Sequence, residues 1–265
     1  MSGARFDSLG DGLRLAYRED GSGDDMARCG LFWLGGFMSD MTGSKAESLA
    51  GLARDSRRPS LRFDYSGHGE SGGAFTDGTI SAWLDQSLHM FRNHTAGRRI
   101  VIGSSMGGWI ALLLYRWLLT HDPRAARRIA GLVLVAPAAD MTADLMWDSF
   151  GPSARADLAE KGVWLQPSQY GDPYPITAGL IADGRRHLLL KQGLDCDCPV
   201  RILQGDADPD VPLTHALKVY EALRGPDITL TVIKAGDHRL STPGQLRIIR
   251  ETVQQLALRS DGVSL

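Results

Sequence analysis

The chain has 265 residues, and 29 lysines and arginines against 31 aspartates and glutamates give it a formal net charge of −2. Hydrophobic residues make up 43% of the chain and charged residues 23%, as in ordinary globular proteins. A near-neutral chain lacks the positive field that attracts nucleic acid, so no nucleic-acid partner is expected. A chain of this length can bury one large core and still hold a sizeable cleft.

The apolar pattern indicates neither export nor a membrane span. The beginning of the chain carries charges, including Arg5, Asp7 and Arg14, where a signal peptide would be apolar. The longest apolar stretch, 109–119, contains Arg116 and is shorter than the roughly 20 residues that cross a bilayer. The three cysteines, an odd number, favour a reducing compartment. We therefore expect a cytoplasmic protein without a membrane span, and its oligomeric state stays open.

Short β-rich runs alternate with helix-length segments along the chain. This alternation predicts βαβ units and a mostly parallel sheet with helices on both faces, which is an α/β fold. Several strand runs are continuously apolar, as strands buried on both faces should be. The predicted strands are 13–17, 31–34, 60–64, 99–102, 131–135, 200–203 and 228–233, and the predicted helices are 44–55, 79–93, 107–120, 213–223 and 244–258.

Two of these helices differ in their apolar pattern. The helix at 107–119 is apolar almost all round, so we expect it to be the most deeply buried one, whereas 244–258 has a single apolar face and should lie on the outside. Between residues 135 and 200 the βαβ rhythm stops. That segment has two or three short helical patterns and a turn-rich stretch at 171–175, and we interpret it as an insertion rather than a linker.

Paired glycines follow the predicted strand 31–34. Gly35 and Gly36 let the backbone approach a ligand closely, and the N–H of Phe37 can then point inward. The alternative is an ordinary turn between a strand and a helix. We expect the Phe37 N–H to be one of two donors to a developing oxyanion.

The strongest motif is Gly103-Ser104-Ser105-Met106-Gly107, which joins the strand 99–102 to the buried helix. In this context G-x-S-x-G predicts a nucleophile elbow, where a strained turn exposes the serine and small flanking residues let the backbone pack closely. Ser105 is therefore the predicted nucleophile. The N–H of Met106, at the N-terminus of a helix, is the second predicted oxyanion donor. A chance glycine-rich turn is the alternative interpretation.

A serine hydroxyl is a weak nucleophile until a base takes its proton. Among seven histidines, His238 comes directly after the last apolar strand, where loops converge at the sheet edge, and we predict that it is the base. For His89, His94 and His121, which lie in or beside predicted helices, a solvated or core role fits better.

The carboxylate that orients the base should follow the preceding strand. Three aspartates compete there, Asp206, Asp208 and Asp210. Asp208 lies 238 − 208 = 30 residues before His238, which leaves room for one helix and one strand, and it occupies a G-x-x-D-x-x-V turn. We predict that Asp208 is the acid and that the other two are turn or capping carboxylates, although either could replace it.

Four blocks of sequence, in order, resemble the α/β-hydrolase superfamily over nearly the whole chain. They are Leu34-Gly35-Gly36-Phe37, Asp64-Tyr65-Ser66-Gly67-His68-Gly69-Glu70-Ser71, the elbow at Ser105, and 205–212 with His238. The resemblance implies an α/β-hydrolase fold and a structural or pocket-lining role for His68. Gly35 stands where many relatives carry histidine, a departure that leaves the backbone donor intact.

Within the superfamily, residues 33–41 and 103–109 are most similar to the branch containing the mitochondrial acyl-protein thioesterase and acyl-glucuronide esterase of animals and its bacterial relatives. This resemblance implies a core of 1–139 and 192–265 with a small helical cap at 140–191. The cap carries Met141, Leu145, Met146, Trp147, Phe150, Trp164, Leu165, Tyr170 and Tyr174. Apolar, Met-rich linings suit acyl chains. We predict that Trp147, Trp164 and Tyr174 contact substrate, with packing of the cap onto the body as an equal alternative.

These residues together predict a serine hydrolase that cleaves esters or thioesters of a small-molecule or acylated substrate. No cofactor and no metal are expected. The Cys196-Asp197-Cys198 run lacks the partner spacing of a zinc site, and Gly35-Gly36 and Gly72-Gly73 lack the nucleotide-binding patterns. Acyltransferase or perhydrolase chemistry with the same triad, and a non-catalytic ligand-binding protein, are the alternatives.

Overall fold

The computed structural model describes residues 3–10, 12–21, 28–167 and 173–263. Within these ranges the chain forms twelve strands and eight α-helices. The strands are β1 (Arg5–Ser8), β2 (Arg14–Asp20), β3 (Gly30–Leu34), β4 (Ser60–Phe63), β5 (Arg99–Ser104), β6 (Ile129–Val135), β7 (Val163–Gln166), β8 (Tyr174–Thr177), β9 (Leu194–Asp195), β10 (Val200–Gly205), β11 (Leu223–Arg224) and β12 (Ile228–Ile233). The helices are α1 (Ser44–Asp55), α2 (Ile80–His94), α3 (Met106–His121), α4 (Pro123–Ala126), α5 (Pro152–Lys161), α6 (Ala178–Gly184), α7 (Leu213–Ala222) and α8 (Pro243–Ser260).

Eight of the strands form one sheet in the order β1-β2-β4-β3-β5-β6-β10-β12. Within this sheet the six strands β4, β3, β5, β6, β10 and β12 pair in parallel, and β2 runs antiparallel to both of its neighbours. In a parallel sheet the carboxyl ends of the strands meet at one edge, where ligands bind. The loops after β3, β5, β10 and β12 therefore converge there. The predicted α/β fold class is confirmed.

Helices cover both faces of this sheet. Helices α1 and α8 pack on one face through residues such as Leu49, Ile249 and Val253. Helices α2 and α3 pack on the other face, where Trp83 and Trp109 are fully buried. Most of α3 is buried, as its all-round apolar pattern predicts. Within the described residues, no helix is both long and apolar enough to cross a membrane.

All seven predicted strands and five predicted helices are present, with ends shifted by a few residues. Five short strands were not predicted. β1 reads Arg-Phe-Asp-Ser, which alternates in polarity over only four residues, and it lies at the sheet edge beside β2 alone. β7 and β8 pair with each other inside the insertion, and β9 pairs with β11, which begins where the predicted helix 213–223 was expected to end.

The segment between β6 and β10 forms its own small apolar cluster. Phe150, Leu158 and Ile176 are buried together there. Both ends of the segment meet at Asp140, whose carboxylate accepts hydrogen bonds from the N–H groups of Leu189 and Leu190 at 2.8 and 3.0 Å. A buried carboxylate thus joins the start of the insertion to its end.

A second buried carboxylate fastens the insertion to helix α2. Asp183 accepts hydrogen bonds from the N–H of Ser81 at 2.7 Å and from its hydroxyl at 2.8 Å, and Arg186 also donates to it. His187 Nε2 lies 2.7 Å from the same hydroxyl. Burial raises the pKa of the Asp183 carboxyl, but the hydrogen bonds from Ser81 and Arg186 outweigh burial and the net shift is downward.

Asp183→Ala should lower the free energy of unfolding by about 2 kcal/mol, because the N–H of Ser81, in the first turn of α2, loses its acceptor and the insertion loses its hydrogen bonds to α2. Urea denaturation measures this difference, and Asp148→Ala, at an exposed acid in the same insertion, should change it little. A carboxyl with a lowered pKa stabilises above its ordinary range and loses that effect as the pH falls. The difference between wild type and Asp183→Ala should therefore shrink below about pH 4. Equal losses for the two variants would contradict this role of Asp183.

Candidate active site

Ser105 occupies the turn between β5 and α3 with φ of 55° and ψ of −120°, a strained conformation for a residue with a side chain. Hydrogen bonds fix the turn on both sides. The Ser105 N–H donates to the carbonyl of Val135 at 2.9 Å, and its carbonyl accepts from the N–H of Gly108 at 2.9 Å and of Ala138 at 3.1 Å. The serine is thereby held at the carboxyl edge of the sheet.

The two glycines of the motif are required by the spacing of the backbone. A Cβ on Gly103 would lie 2.1 Å from the carbonyl oxygen of Gly107. A Cβ on Gly107 would lie 2.2 Å from the carbonyl oxygen of Leu34 and 2.4 Å from that of Gly35. The elbow therefore packs directly on the loop that follows β3, with no room for a side chain between them.

The three residues predicted to act together are in hydrogen-bond contact. His238 Nε2 lies 3.0 Å from Ser105 Oγ, and His238 Nδ1 lies 2.8 Å from Asp208 Oδ2. Because an ionised carboxylate can only accept, Nδ1 carries the proton and Nε2 is left to accept from the serine hydroxyl. This geometry permits proton transfer from Ser105 to His238.

Asp208 is a fully enclosed carboxylate. Its Oδ1 accepts from the N–H groups of Asp210 at 2.9 Å and Val211 at 2.8 Å, and its Oδ2 accepts from Gln204 Nε2 at 3.1 Å as well as from His238. Burial raises the pKa of Asp208, but the hydrogen bond and charge of His238 and the two backbone donors outweigh it, so the net shift is downward. The carboxylate is thus ionised at neutral pH.

Gln204 was missed by the sequence reasoning. It lies fully buried in β10, and its amide also donates to the carbonyl of Val211 at 2.8 Å, so it joins both ends of the Asp208 turn. A polar residue directly after the apolar pair Ile202-Leu203, at the carboxyl end of a strand, is the signal that could have identified it.

The two neighbouring aspartates, Asp206 and Asp210, make different contacts from Asp208. Asp206 accepts from Lys234 Nζ at 2.8 Å and from the N–H of Ala235 at 2.6 Å, and the Lys234 hydrogen bond lowers the pKa of Asp206. It therefore joins the turn after β10 to the turn after β12. Asp210 lies on the cavity wall and donates its N–H to Asp208. Of the three, Asp208 is the one that contacts the His238 ring.

The loop after β3 lies against Ser105. A Cβ on Gly36 would be 3.4 Å from the Cβ of Ser105, so the loop that carries Phe37 lies against the serine. On the other side, Met106 is the first residue of α3, and first-turn N–H groups have no carbonyl partner within their helix. Phe37 and Met106 therefore belong to segments next to Ser105, and the role of their N–H groups as oxyanion donors stays a prediction.

His68 and Asp64 hold this loop in place. His68 Nε2 accepts from the N–H of Met38 at 3.2 Å while its Nδ1 lies 3.1 Å from the carbonyl of Ser66, and burial lowers the pKa of His68, so the ring is neutral. Asp64 accepts from the N–H groups of Met41 at 2.6 Å and Glu70 at 2.9 Å, and burial raises its pKa to about 6. His68 thus has a structural role, and Asp64 is a support that sequence reasoning did not assign.

A cavity of about 1000 Å³ opens above Ser105 and His238. Its wall includes Phe37, Met38, Lys45, Met141, Leu145, Met146 and Tyr174. Lys45 was not anticipated. It donates to the carbonyl of Arg239, and burial, followed by the charge of Arg239, lowers the pKa of Lys45 to about 8.

The three predicted substrate contacts fall in different places. Tyr174 lines the cavity and packs against Phe37, with 6.0 Å between ring centroids. Trp147 and Trp164 instead pack against the buried cluster of the insertion, which contains Phe150, Leu158 and Ile176. Guanidinium groups of Arg155 and Arg185 each lie 5.0 Å from the Trp147 ring centroid, and Trp164 packs on Phe150 at 4.8 Å. Tyr170 lies outside the described residues.

Comparison with known proteins agrees with this architecture. A family model described as serine aminopeptidase, S33, matches residues 52–177. The crystal structure of a putative hydrolase from Agrobacterium vitis S4 is 42% identical with a TM-score of 0.91, and the match covers 96% of this chain and 98% of that one. The chain belongs to the α/β-hydrolase superfamily. The resemblance read from the sequence motifs is thereby confirmed.

A further relative of this superfamily member is mouse alpha/beta hydrolase domain-containing protein 10, or ABHD10, which matches both by structure and by sequence. Alpha/beta hydrolase domain-containing protein 10 is 26% identical with a TM-score of 0.82, over 96% of this chain and 98% of that one. The mitochondrial palmitoyl-protein thioesterase ABHD10 is 28% identical over 229 residues, which are 86% of this chain and 74% of that protein. Family and relatives support a hydrolase of the α/β-hydrolase type with thioesterases among its relatives.

Gly107→Ala should lower the free energy of unfolding by about 3 kcal/mol, because the new methyl group meets two backbone carbonyls that cannot move independently. Gly244→Ala is a matched control, since Gly244 is likewise the second residue of its helix but has open space around it. Helix propensity alone predicts that alanine stabilises at both positions, by up to about 1 kcal/mol. Thermal and urea denaturation of both variants distinguish the two effects, and a stabilised Gly107→Ala would contradict the close packing of the elbow.

Proposed function

We propose that the chain is a serine hydrolase that cleaves carboxylic esters or thioesters through an acyl-enzyme. The observation that carries the proposal is the series of hydrogen bonds from Ser105 through His238 to the buried Asp208, with Ser105 and His238 lining the cavity. A strained serine on the cavity lining, beside an accepting imidazole, is the arrangement that nucleophilic acyl transfer needs.

In the first half-reaction, His238 Nε2 takes the proton as Ser105 Oγ attacks the acyl carbon. The carbonyl oxygen becomes an oxyanion that the N–H groups of Phe37 and Met106 stabilise, each donor typically contributing about a hundred- to a thousandfold in rate. Asp208, whose lowered pKa keeps it ionised, stabilises the imidazolium that forms. The tetrahedral species collapses, the carbon–oxygen or carbon–sulfur bond breaks, and His238 supplies a proton to the leaving group.

In the second half-reaction, water replaces the leaving group. His238 removes a proton from the water as the oxygen attacks the acyl carbon of the Ser105 ester. The bond to Ser105 Oγ then breaks, the serine regains its proton from His238, and a carboxylic acid leaves. No electrons are exchanged with any other group, so the cycle needs only water.

The cavity wall supports an acyl chain as the group bound next to the serine. Met141, Leu145 and Met146 supply flexible apolar surface on the cap side, and Phe37 and Tyr174 supply aromatic surface beside it. The name of the mouse relative states that it is a palmitoyl-protein thioesterase, which favours a long-chain acyl thioester as the substrate class here.

Ser105→Ala should reduce kcat/KM for any ester or thioester substrate by about 10⁴-fold or more, because it removes the nucleophile and leaves only binding and oxyanion donors. A fluorophosphonate probe should modify Ser105 in the folded protein and leave the variant unlabelled, as peptide mass spectrometry measures. Ser153→Ala, at an exposed serine of α5, should label and turn over normally. If the probe fails to modify Ser105 in the folded wild-type protein, the proposal is wrong.

A long-chain acyl thioester should exceed a short-chain oxygen ester in kcat/KM by tenfold or more, about 1.4 kcal/mol of transition-state discrimination. Met146→Ser should reduce that preference several-fold, because it removes apolar lining from the cavity, while Leu217→Ser on the exposed face of α7 should not. Faster turnover of the short ester would assign the chain to carboxylesterases with small acyl groups.

A further inference from the structure

Two histidines and one aspartate meet at the β1 edge of the sheet, away from the carboxyl-edge cavity. Asp7 lies on β1, His89 lies within α2, and His94 is the last residue of α2. His89 Nε2 and His94 Nε2 both lie 2.6 Å from the same atom, Asp7 Oδ2. The hydrogen bond from His89 is the largest influence on the pKa of Asp7, and the net shift is downward.

This set has the composition of a transition-metal site. Two imidazole nitrogens and a carboxylate oxygen are donors that Zn²⁺ prefers, and three protein ligands leave a fourth tetrahedral position for water. Among the described residues, the candidate ligand atoms of this trio all lie within 4.8 Å of one another. The side chains of Asp7, His89 and His94 are 27%, 31% and 19% exposed, so an ion can reach them from solvent.

The surroundings orient both rings. Asn93 Nδ2 lies 3.0 Å from His89 Nδ1, and a 180° rotation of the amide would place the Asn93 oxygen there instead, to accept the Nδ1 proton while Nε2 binds the ion. The His94 ring packs against Tyr17, with 4.7 Å between ring centroids. Both imidazoles are thus directed toward Asp7 by neighbours outside the trio, as ligating histidines usually are.

We propose that Asp7, His89 and His94 bind a divalent transition-metal ion, Zn²⁺ in the first instance, with water completing the coordination. Zinc bonds of about 2.0–2.1 Å in tetrahedral geometry separate ligand atoms by roughly 3.3 Å. The two nitrogen–oxygen distances therefore have to widen by less than about 1 Å, which rotation of partly exposed side chains supplies. The ion would fasten β1, which pairs with β2 alone in the sheet, to the end of α2.

Sequence spacing gives no sign of this site, because Asp7 lies 82 residues from His89 and joins the two histidines only in the folded chain. It also differs from the second group of candidate ligands among the described residues, Asp208, Asp210 and His238. That group belongs to the proposed catalytic residues in the loops after β10 and β12, and these strands lie at the opposite end of the strand order.

The test is titration of metal-stripped full-length protein with ZnCl₂, followed by competition with a chromophoric chelator, and separately with CoCl₂, followed by the visible absorption of four-coordinate cobalt. We expect one equivalent of Zn²⁺ bound at pH 7.5 and a rise in the unfolding temperature with free zinc. His94→Gln and His89→Gln should weaken binding by about tenfold or more. Glutamine can still donate a hydrogen bond to Asp7, so these variants keep a purely structural contact while removing the imidazole ligand.

His238→Gln and His121→Gln are the controls, the first removing the other candidate ligand group and the second an exposed histidine on α3. Both should bind Zn²⁺ as wild type does. The proposal is overturned if wild type shows no binding up to about 1 mM Zn²⁺. It is equally overturned if His94→Gln and His89→Gln bind normally, or if His238→Gln alone abolishes binding. None of these readouts depends on catalytic activity, so the metal site and the hydrolase proposal stand or fall separately.

Discussion

The arrangement of the candidate site depends on one local constraint. Ser105, a residue with a side chain, is held at positive φ between the buried strand β5 and the buried helix α3. That conformation at Ser105 costs on the order of 1–3 kcal/mol, and the elbow persists because its surroundings leave no alternative. The carbonyl of Val135 fixes it from one side, and Gly107 packs it onto the backbone of Leu34 and Gly35. The packing of the first turn of α3 against the loop after β3 thus fixes where Ser105 stands at the carboxyl edge of the sheet.

Buried carboxylates fix the other loops around that elbow, each by accepting several donors. Asp208 accepts from three nitrogens in addition to His238, and Asp64 and Asp140 each accept from two backbone N–H groups. If an enclosed carboxylate loses its hydrogen-bond donors, the folded state is destabilised, because nothing then compensates the removal of the charge from water. Each of these loops is therefore held in one arrangement before any substrate arrives, which is the preorganisation that oxyanion stabilisation requires.

Sequence pattern was sufficient to predict a feature of the structure where that feature is determined by residues close together in the chain. The apolar runs located the sheet, and the G-x-S-x-G motif located Ser105 because its glycines are required by contacts within that turn and with the preceding strand loop. Pattern was insufficient where the cause is a distant contact. β1 is too short and too polar to read as a strand, and Gln204, Lys45 and the Asp7 group acquire meaning only from residues far away in the chain. The contacts of the cap side chains were the hardest to predict. Trp147 packs on two arginines and Trp164 packs on Phe150, and both contacts arise only in the folded cap.

The hydrogen bonds of Asp140 close the insertion at its base, so the length of the chain beyond them has little effect on the free energy of folding. One carboxylate joins the start of the insertion to Leu189 and Leu190 near its end, and the strands on either side, β6 and β10, pair with each other in parallel. The entropy of closing a loop grows only with the logarithm of its length, about 0.6 kcal/mol for each doubling. Residues can accordingly be added to or removed from the tip of this segment at small thermodynamic cost. The shape of the cavity roof is free to diverge between relatives while the geometry around Ser105 stays the same.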